Sequence, residues 1–241
     1  RAALERIGAT ALLADSSDTD APAFARDLGL DFIALQETNA HLGGFRLALP
    51  DALGSGSHTD TALILSTSGS TGQPKAVPLS ATNLAHSARS IAETLRLSAE
   101  DTAINMLPMF HIGAIVDLLL SPLLAGGRVT YADPARPKTI IEAVESHGAT
   151  WLQAVPTMLT RLMNEDETAL APLHGRLRFV RSVSADLAPD LQARVEEQLG
   201  APVVQMYGMT ETAGQIASNG VDMGRRKRNS VGQAGGAEIA I

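Results

Sequence analysis

Short apolar runs and amphipathic stretches alternate along the chain. The runs are rich in Val, Ile, Leu and Ala and have the length of strands, whereas the stretches between them repeat apolar residues at helical spacing. The predicted strands are ATALLAD, DFIAL, TALIL, AINML, RVTYA, ATWLQAV, LRFVRSV and APVVQMY. This alternation predicts an α/β fold with mostly parallel sheets flanked by helices.

Three of the predicted helices carry boundary signals. NLAHSARSIAETLRL follows Ser80, IGAIVDLLLSPLLAGG ends in glycines, and APDLQARVEEQLG opens near a proline and closes on Gly200. Proline suits the first turn of a helix, and glycine suits the position after the last turn. Since open α/β sheets bind ligands beyond the carboxyl ends of their strands, the residues that follow the strands are the first candidates for a site.

The segment PDALGSGSHTD, Pro50 to Asp60, is the best candidate for a linker because it is poor in apolar residues and rich in Gly, Ser and Asp. Residues 1–60 are therefore predicted to be the end of one α/β subdomain plus the linker, and residues 61–241 to be a second subdomain. The chain starts without Met inside a helical pattern and stops at GGAEIAI, which reads as a strand. We therefore expect it to be a piece of a longer protein.

Composition and charge exclude several classes of protein. The chain has 241 residues, is 45% hydrophobic and carries a net charge of −7, which disfavours disorder and a general nucleic-acid partner. The basic cluster from Arg225 to Arg228 is interpreted as a solvated loop next to Gly224; a localisation signal or nucleic-acid patch is the alternative. There is no cysteine and no apolar run of membrane-spanning length, so a cytoplasmic protein without a membrane span is expected.

The loop STSGSTGQPKAVPLS, Ser66 to Ser80, has the residue types that hold a phosphate. Backbone N–H groups, hydroxyls and a lysine lie close together in it. It is not a Walker loop, because its spacing is G-x-x-G-x-x-K and Ala76 follows Lys75. Two strands joined by this loop would form a hairpin whose tip closes over a polyphosphate; the alternative is a flexible surface turn.

Together with this loop, two further motifs favour the phosphate-binding interpretation. QMYGMTETAG (Gln205 to Gly214) and MLPMFHIGAI (Met106 to Ile115) stand with the loop in an order that resembles the adenylate-forming, or AMP-binding, superfamily of acyl-CoA synthetases, luciferases and peptide-synthetase adenylation domains; NSVGQAGGAEIAI is a fourth match. The resemblance covers most of the chain after Thr61. It implies part of the large N-terminal domain of an acyl-CoA synthetase-like fold, and an acid-thiol ligase that makes an acyl-adenylate from ATP and transfers the acyl group to coenzyme A.

The resemblance also implies roles for particular residues. The family's loop for the β- and γ-phosphates matches Thr67, Ser68, Gly69, Ser70, Thr71, Gly72 and Lys75. In the YGMTE motif, Tyr207 and Gly208 would border the nucleotide, Thr210 would reach the α-phosphate and Glu211 would hold Mg²⁺, since a carboxylate beside a polyphosphate needs a bridging cation. A helix cap is the alternative role for Glu211. Ser184, Ala185 and Asp186 match the family's adenine-lining stretch more loosely.

His111 matches the histidine that stands between the acid pocket and the thiol tunnel in relatives. Trp151 and Met158 are interpreted as core or pocket wall, and His86 as an exposed helix residue. Asp117 follows the motif, as does an ammonium-binding aspartate in amino-acid-activating members, but the surrounding sequence looks more like the acyl-CoA synthetase form. We therefore expect an acid without an α-amino group, and the phrase YGMTETAGQIASN is similar to ligases for short or polar acids, oxalate–CoA ligase among them.

Several features depart from the family pattern. Ala76 replaces the usual glycine, IVDLLL follows the second motif, and SVSAD is atypical. The ribose-binding aspartate and the C-terminal lid domain with its catalytic lysine would lie beyond residue 241, so we expect the isolated chain to be inactive. Two alternatives stay open: an acid-loading domain of a multidomain synthase whose acceptor is the phosphopantetheine thiol of a carrier protein, and a non-catalytic nucleotide-binding remnant.

Overall fold

Contacts between Cα atoms divide the chain into two units, Arg1–Asp60 and Thr61–Ile241. The structure is a computed structural model that describes residues 11–15, 19–37, 45–48, 61–67, 75–222 and 226–240. Among these residues, no helix combines the length and the apolar character that a membrane crossing requires.

The first unit contains a three-stranded sheet. Its elements are β1 (Ala11–Asp15), α1 (Ala21–Asp27), β2 (Asp31–Glu37) and β3 (Phe45–Ala48). The strands lie in the order β1-β2-β3, with β1 and β2 parallel and β3 antiparallel to β2. A parallel pair needs a crossover connection, and α1 supplies it.

The second unit contains most of the described residues. Its strands are β4 (Thr61–Thr67), β5 (Lys75–Ser80), β6 (Thr102–Asn105), β7 (Arg128–Tyr131), β8 (Trp151–Ala154), β9 (Phe179–Ser182), β10 (Val203–Met209), β11 (Gly214–Ser218) and β12 (Gln233–Ala234). Its α-helices are α2 (Ala81–Thr94), α3 (Ser121–Leu124), α4 (Pro137–His147), α5 (Pro156–Met163), α6 (Glu167–Leu170) and α7 (Pro189–Leu199). A π-helical segment (Gly113–Leu120) and two 3₁₀ turns (Ala171–Leu173 and Thr210–Thr212) complete it.

The central sheet has seven strands in the order β12-β11-β10-β9-β8-β6-β7. The strands β10, β9, β8, β6 and β7 are parallel to one another. Strand β11 is antiparallel to β10, and β12 is antiparallel to β11. The predicted mostly parallel α/β fold is therefore confirmed. Strands β4 and β5 form a separate antiparallel pair, which confirms the predicted hairpin strands.

The sheet separates two hydrophobic clusters. Leu152 and Val180 belong to one cluster, whereas their neighbours Trp151 and Phe179 belong to the other. Successive side chains of a strand point to opposite faces, so both faces of the sheet are covered. Burial on both faces explains why these strands read as nearly continuous apolar runs.

Helix ends follow the predicted chemistry. The side chain of Ser80 accepts a hydrogen bond from the N–H of Asn83 at 3.0 Å, and the Asn83 side chain bonds back to the N–H of Ser80. This reciprocal cap satisfies donors that a helix N-terminus leaves open. Gly148 and Gly200 end α4 and α7 with φ of 62° and 60°, in the left-handed region that favours glycine.

Two sequence predictions were wrong in detail. GGAEIAI was predicted to be a strand, but β12 ends at Ala234. One further hydrogen bond joins the N–H of Gly235 to the carbonyl of Ile216 in β11 at 2.8 Å, and Gly236 then has a φ of 111°.

The basic cluster was predicted to be solvated. Lys227 and Arg228 are exposed, as predicted, and Arg225 lies outside the described residues. Arg226 differs, because its side chain is only 11% exposed and lies 2.7 Å from a carboxylate oxygen of Glu196. The partly buried Glu196 carboxylate, whose side chain is 20% exposed, draws this arginine out of solvent.

Candidate functional site

A cavity of about 470 Å³ lies at the carboxyl ends of four parallel strands. Its walls come from the residues that end or follow β6, β8, β9 and β10. They are Leu107, Pro108, His111, Ile112, Gly113, Asp117, Gln153, Val155, Met158, Val183, Ser184, Met206, Gly208, Met209, Thr210 and Gly214. This is the position at which open α/β sheets bind their ligands.

The segment that carries His111 is held by a buried asparagine. Asn105, at the end of β6, is 2% exposed; its amide nitrogen donates to the carbonyl of Ala114 at 3.1 Å, and its side-chain oxygen accepts from the N–H of Leu107 at 3.2 Å. His111 is exposed, and its ring contacts Phe110 at 4.6 Å between centroids. The asparagine therefore fixes the turn that brings His111 to the cavity, a role that sequence reasoning did not assign.

The YGMTE motif turns sharply between β10 and β11. A Cβ on Gly208 would lie 2.1 Å from the carbonyl oxygen of Gly214, so the close approach of the two strands requires glycine there. The hydroxyl of Thr212 donates to the carbonyls of Met209 and Gly214 at 3.0 and 2.9 Å and braces the turn. Tyr207 is 52% exposed.

The two polar residues of this turn face different spaces. Thr210 lines the 470 Å³ cavity with His111, whereas Glu211 lines a second cavity of about 440 Å³ to which His86 also contributes. Strand β5 contacts the residue that follows this turn, because its Val77 and Leu79 pack on Ala213. The hairpin that carries Lys75 therefore contacts the segment that carries Glu211.

The predicted phosphate loop is only partly described. Thr67 and Lys75 are paired partners at the end of the β4–β5 ladder, so the two ends of the loop are adjacent, and Lys75 is exposed. The residues Ser68, Gly69, Ser70, Thr71 and Gly72 lie outside the described residues.

The stretch predicted to line the adenine, Ser184 to Asp186, follows β9. Ser184 lines the cavity and has φ of 70°, an uncommon conformation for a residue with a side chain. Ala185 and Asp186 are exposed on the same turn. Strained backbone of this kind is often found where a ligand is held.

Sequence reasoning missed a cluster of buried polar side chains, here called the inner polar cluster, which consists of Asp117, Gln153, Arg181 and Gln215. Arg181 is fully buried; its Nη1 lies 2.9 Å from both Asp117 Oδ2 and Gln153 Oε1, and its Nη2 lies 2.5 Å from Gln215 Oε1. Polar residues inside the apolar runs TWLQAV, LRFVRSV and IVDLLL were the available signal, because charges are seldom buried unless they are paired.

The pKa values of the ion pair formed by Asp117 and Arg181 are shifted by burial. Burial raises the pKa of Asp117, and the guanidinium of Arg181 opposes this rise. Burial likewise lowers the pKa of Arg181, opposed by Asp117. Arg181 pairs with Oδ2 of Asp117, so the charge of this carboxylate is already balanced inside the protein.

The described residues contain no group of three or more His, Cys, Asp or Glu side chains that could enclose a metal ion. Mg²⁺ is usually held by one or two carboxylates plus substrate phosphates rather than by an all-protein cage. Glu211 is an exposed carboxylate at a cavity, and no side chain in the described ranges forms an ion pair with it. It therefore fits a magnesium ion that arrives with a polyphosphate.

The chain matches known proteins along most of its length. The family model described as AMP-binding enzyme covers residues 2–241. Oxalate–CoA ligase of Arabidopsis thaliana is 40% identical over 185 residues, which are 76% of this chain and 36% of that protein. Sulfoacetate–CoA ligase of Cupriavidus necator is 35% identical over 180 residues, 75% of this chain and 35% of that protein.

A solved structure shares the fold. The ATP-bound structure of MatB from Rhodopseudomonas palustris has a TM-score of 0.75 at 28% identity and covers 97% of this chain and 46% of its own. This likeness confirms the predicted fold class. The chain spans about a third of the length of the two curated relatives.

Proposed function

Because the chain belongs to the AMP-binding enzyme family, we propose that the full-length protein activates a carboxylic acid with ATP and transfers it to the thiol of coenzyme A. A carboxylate oxygen of the acid attacks the α-phosphorus, and the bond to pyrophosphate breaks. The thiolate sulfur then attacks the acyl carbon, and AMP leaves.

One observation carries the proposal. His111, Ser184 and Thr210 come from three motifs that are far apart in the chain, yet all three line one cavity at the carboxyl ends of the strands. Acyl transfer to a nucleotide needs the acid and the α-phosphate within reacting distance, and holding them so supplies a large part of the acceleration. Convergence of the three motifs supports a single site for both.

We assign the nucleotide to the turns after β9 and β10. Thr210 contacts the α-phosphate, Tyr207 and Gly208 border the adenine, and Ser184, Ala185 and Asp186 form the facing wall. The exposure of Tyr207 supports this role, because an aromatic face that is open to solvent in the free protein is available for stacking. His111 contacts the acid at the opposite wall.

Lys75 and the loop from Thr67 to Gly72 hold the β- and γ-phosphates. Contact of β5 with Ala213 supports this assignment, since it brings the base of the loop to the Glu211 turn. Glu211 would hold Mg²⁺, which would offset the charge of the departing pyrophosphate. Fixed N–H groups, hydroxyls and Lys75 add to that stabilisation.

The acid is proposed to be short and polar, and the acceptor to be coenzyme A. The names of the two curated relatives support both points, since each is a CoA ligase for a small acid with a second acidic group. A carrier-protein thiol is the second candidate acceptor. Comparing thioester formation with coenzyme A and with a phosphopantetheinylated carrier protein separates the two.

Acid-dependent exchange of labelled pyrophosphate into ATP tests the proposal in the full-length protein. We expect exchange that requires both ATP and an acid. Thr210→Val should depress it about 10- to 1000-fold, as expected for loss of one preorganised donor near the reacting phosphate. The matched control is Thr160→Val on α5; Thr160 is exposed, and its hydroxyl donates to the carbonyl of Pro156 at 3.0 Å, so exchange should be unchanged. Equal loss in both variants, or no exchange with any acid, would contradict the proposal.

A further inference from the structure

We propose that the inner polar cluster makes the deep end of the cavity a binding site for an oxygen atom at the far end of the acid, with the side-chain N–H group of Gln153 as the donor that selects it. This inference rests on the proposed function and adds the chemical class of the acid: one with a hydroxyl or a second carboxylate at the far end, rather than an alkyl tail.

The orientation of the Gln153 amide is fixed by its neighbour. Oε1 accepts from Arg181 Nη1 at 2.9 Å, and a guanidinium can only donate, so the other end of the amide must be the N–H₂ group. Arg181 is itself held by Asp117 and Gln215. Asp117 and Arg181 are therefore positioning residues that fix the direction of the Gln153 donor.

The donor is not saturated by the protein. Gln153 is 0% exposed and lines the cavity. Its side chain lies close enough to Asp117 to help lower the pKa of that carboxyl, but its Nε2 makes no hydrogen bond of normal length and angle to any part of the chain that the structure describes. A buried N–H₂ group without an acceptor is costly, and buried polar atoms almost always find a partner. An oxygen atom of a bound acid would supply that partner.

Two glycines leave polar atoms of the inner polar cluster uncovered on the side of the cavity. A Cβ at Gly113 would lie 3.0 Å from Gln153 Nε2 and 3.3 Å from Leu107 Cδ1. A Cβ at Gly214 would lie 3.1 Å from Asp117 Oδ1, which also lacks a hydrogen-bond partner among the described residues. Side chains at either position would lie against the polar atoms, so the absence of side chains leaves room for a ligand.

The selectivity follows from the same atoms. An alkyl tail at the deep end would displace any water there and leave the Gln153 donor buried without an acceptor. An oxygen in the same position pairs with the donor, and sites of this type discriminate strongly against analogues that lack the hydrogen-bonding group.

The test uses acids of matched length in pyrophosphate exchange with the full-length protein. Butanoate is compared with 3-hydroxypropanoate and malonate, and pentanoate with 4-hydroxybutanoate and succinate. We expect kcat/KM for at least one oxygen-ended acid to exceed that of its alkyl match by about 10-fold or more. The hydroxyl and carboxylate arms show which oxygen the site accepts.

Two variants then test whether the Gln153 donor causes the preference for oxygen-ended acids. Gln153→Met removes the donor at similar volume. Gly113→Ala keeps every side chain of the inner polar cluster but covers the donor, because its Cβ would lie 3.0 Å from Gln153 Nε2 and press on that amide. In each, the preference for the oxygen-ended acid should fall to within about threefold of its alkyl match, chiefly through the KM of the acid. The preference is the ratio of kcat/KM for two acids measured with the same variant. A smaller fraction of folded protein lowers both values equally and leaves this ratio unchanged.

Each result decides between the claims. Exchange with alkyl acids at least as efficient as with oxygen-ended ones, or a preference that survives in both variants, overturns this inference while leaving the proposed function intact. If Gln153→Met lowers the rate for all acids by the same factor, and Gly113→Ala leaves the preference unchanged, the cluster is structural only. Absence of exchange with every acid overturns the proposed function instead.

Discussion

Removing the charge of Arg181 should destabilise the protein strongly, and removing its partner as well should restore much of the loss. Arg181 is 0% exposed and Asp117 is 2% exposed, and Arg181→Met leaves that carboxylate buried without its cation. Breaking a buried ion pair from one side costs about 3–5 kcal/mol, whereas replacing both members with apolar residues is often nearly neutral. We therefore expect a loss of about 3–5 kcal/mol in the single variant and a clearly smaller loss in Arg181→Met/Asp117→Leu.

The pH dependence of the single variant gives a second signature. Burial raises the pKa of Asp117, and in Arg181→Met no guanidinium opposes that rise. Because the folded-state pKa then lies above that of the unfolded chain, folding favours the protonated carboxyl, and stability is lost as the pH rises through the folded-state pKa. The difference in stability between Arg181→Met and the wild type should therefore be smallest at acidic pH, where the lost hydrogen bonds to Gln153 and Gln215 remain, and should widen towards neutral pH.

Urea unfolding followed by circular dichroism measures both effects. The midpoint and slope give the free energy of unfolding for the wild type, the two single variants and the double variant, and the cycle yields the coupling between the residues. The reasoning is refuted if the double variant is as unstable as the sum of the single variants, or if the loss in Arg181→Met does not change between acidic and neutral pH.

Further variants test the remaining assignments. Lys75→Ala should depress adenylate formation about 10- to 1000-fold without changing the fold, and unchanged pyrophosphate exchange would reject its role. Glu211→Gln should shift the Mg²⁺ requirement of adenylation to higher concentration, whereas an unaltered Mg²⁺ titration would leave Glu211 as a cap only. His111→Ala should raise the KM of the acid more than it weakens ATP binding; an equal effect on both would place the histidine elsewhere. Burial works to raise the pKa of Glu196, but hydrogen bonds from the Val203 N–H and from Arg226 outweigh it and hold the pKa below its usual value. This contribution to stability is present above the unfolded-state pKa and is lost as the pH falls through the folded-state pKa. The stability lost in Arg226→Met, measured by urea unfolding, should therefore shrink at acidic pH, and a pH-independent loss would contradict the assignment.

The fold was predictable wherever local chemistry and burial agree. The buried strands of the central sheet read as apolar runs because both of their faces are covered. The ends of α2, α4 and α7 carry a cap or a left-handed glycine, which are local signals. The strand predicted at GGAEIAI failed because it depends on pairing with β11, and composition alone does not reveal where a strand finds its partner.

The candidate site was predictable in its motifs but not in its interior. His111, Ser184 and Thr210 stand in recognisable stretches, and all three line the cavity. Gln153 and Arg181 are single polar residues in apolar strands, and their roles appear only when residues from β8 and β9 lie side by side. A cluster of this kind depends on long-range packing, which periodicity does not encode. The same holds for Arg226, whose partner Glu196 is 30 positions away in the chain.

The central claim is that one cavity brings the acid and the α-phosphate together, and a crystal structure with a non-hydrolysable acyl-adenylate analogue tests it most directly. The analogue should carry a hydroxyl at the far end of its acyl chain. We predict that its phosphate mimic lies against Thr210, its acyl group passes His111, and its terminal oxygen accepts a hydrogen bond from Gln153 at about 2.7–3.2 Å. An analogue bound outside this cavity, or one whose acyl group points away from His111 towards solvent, would contradict the account.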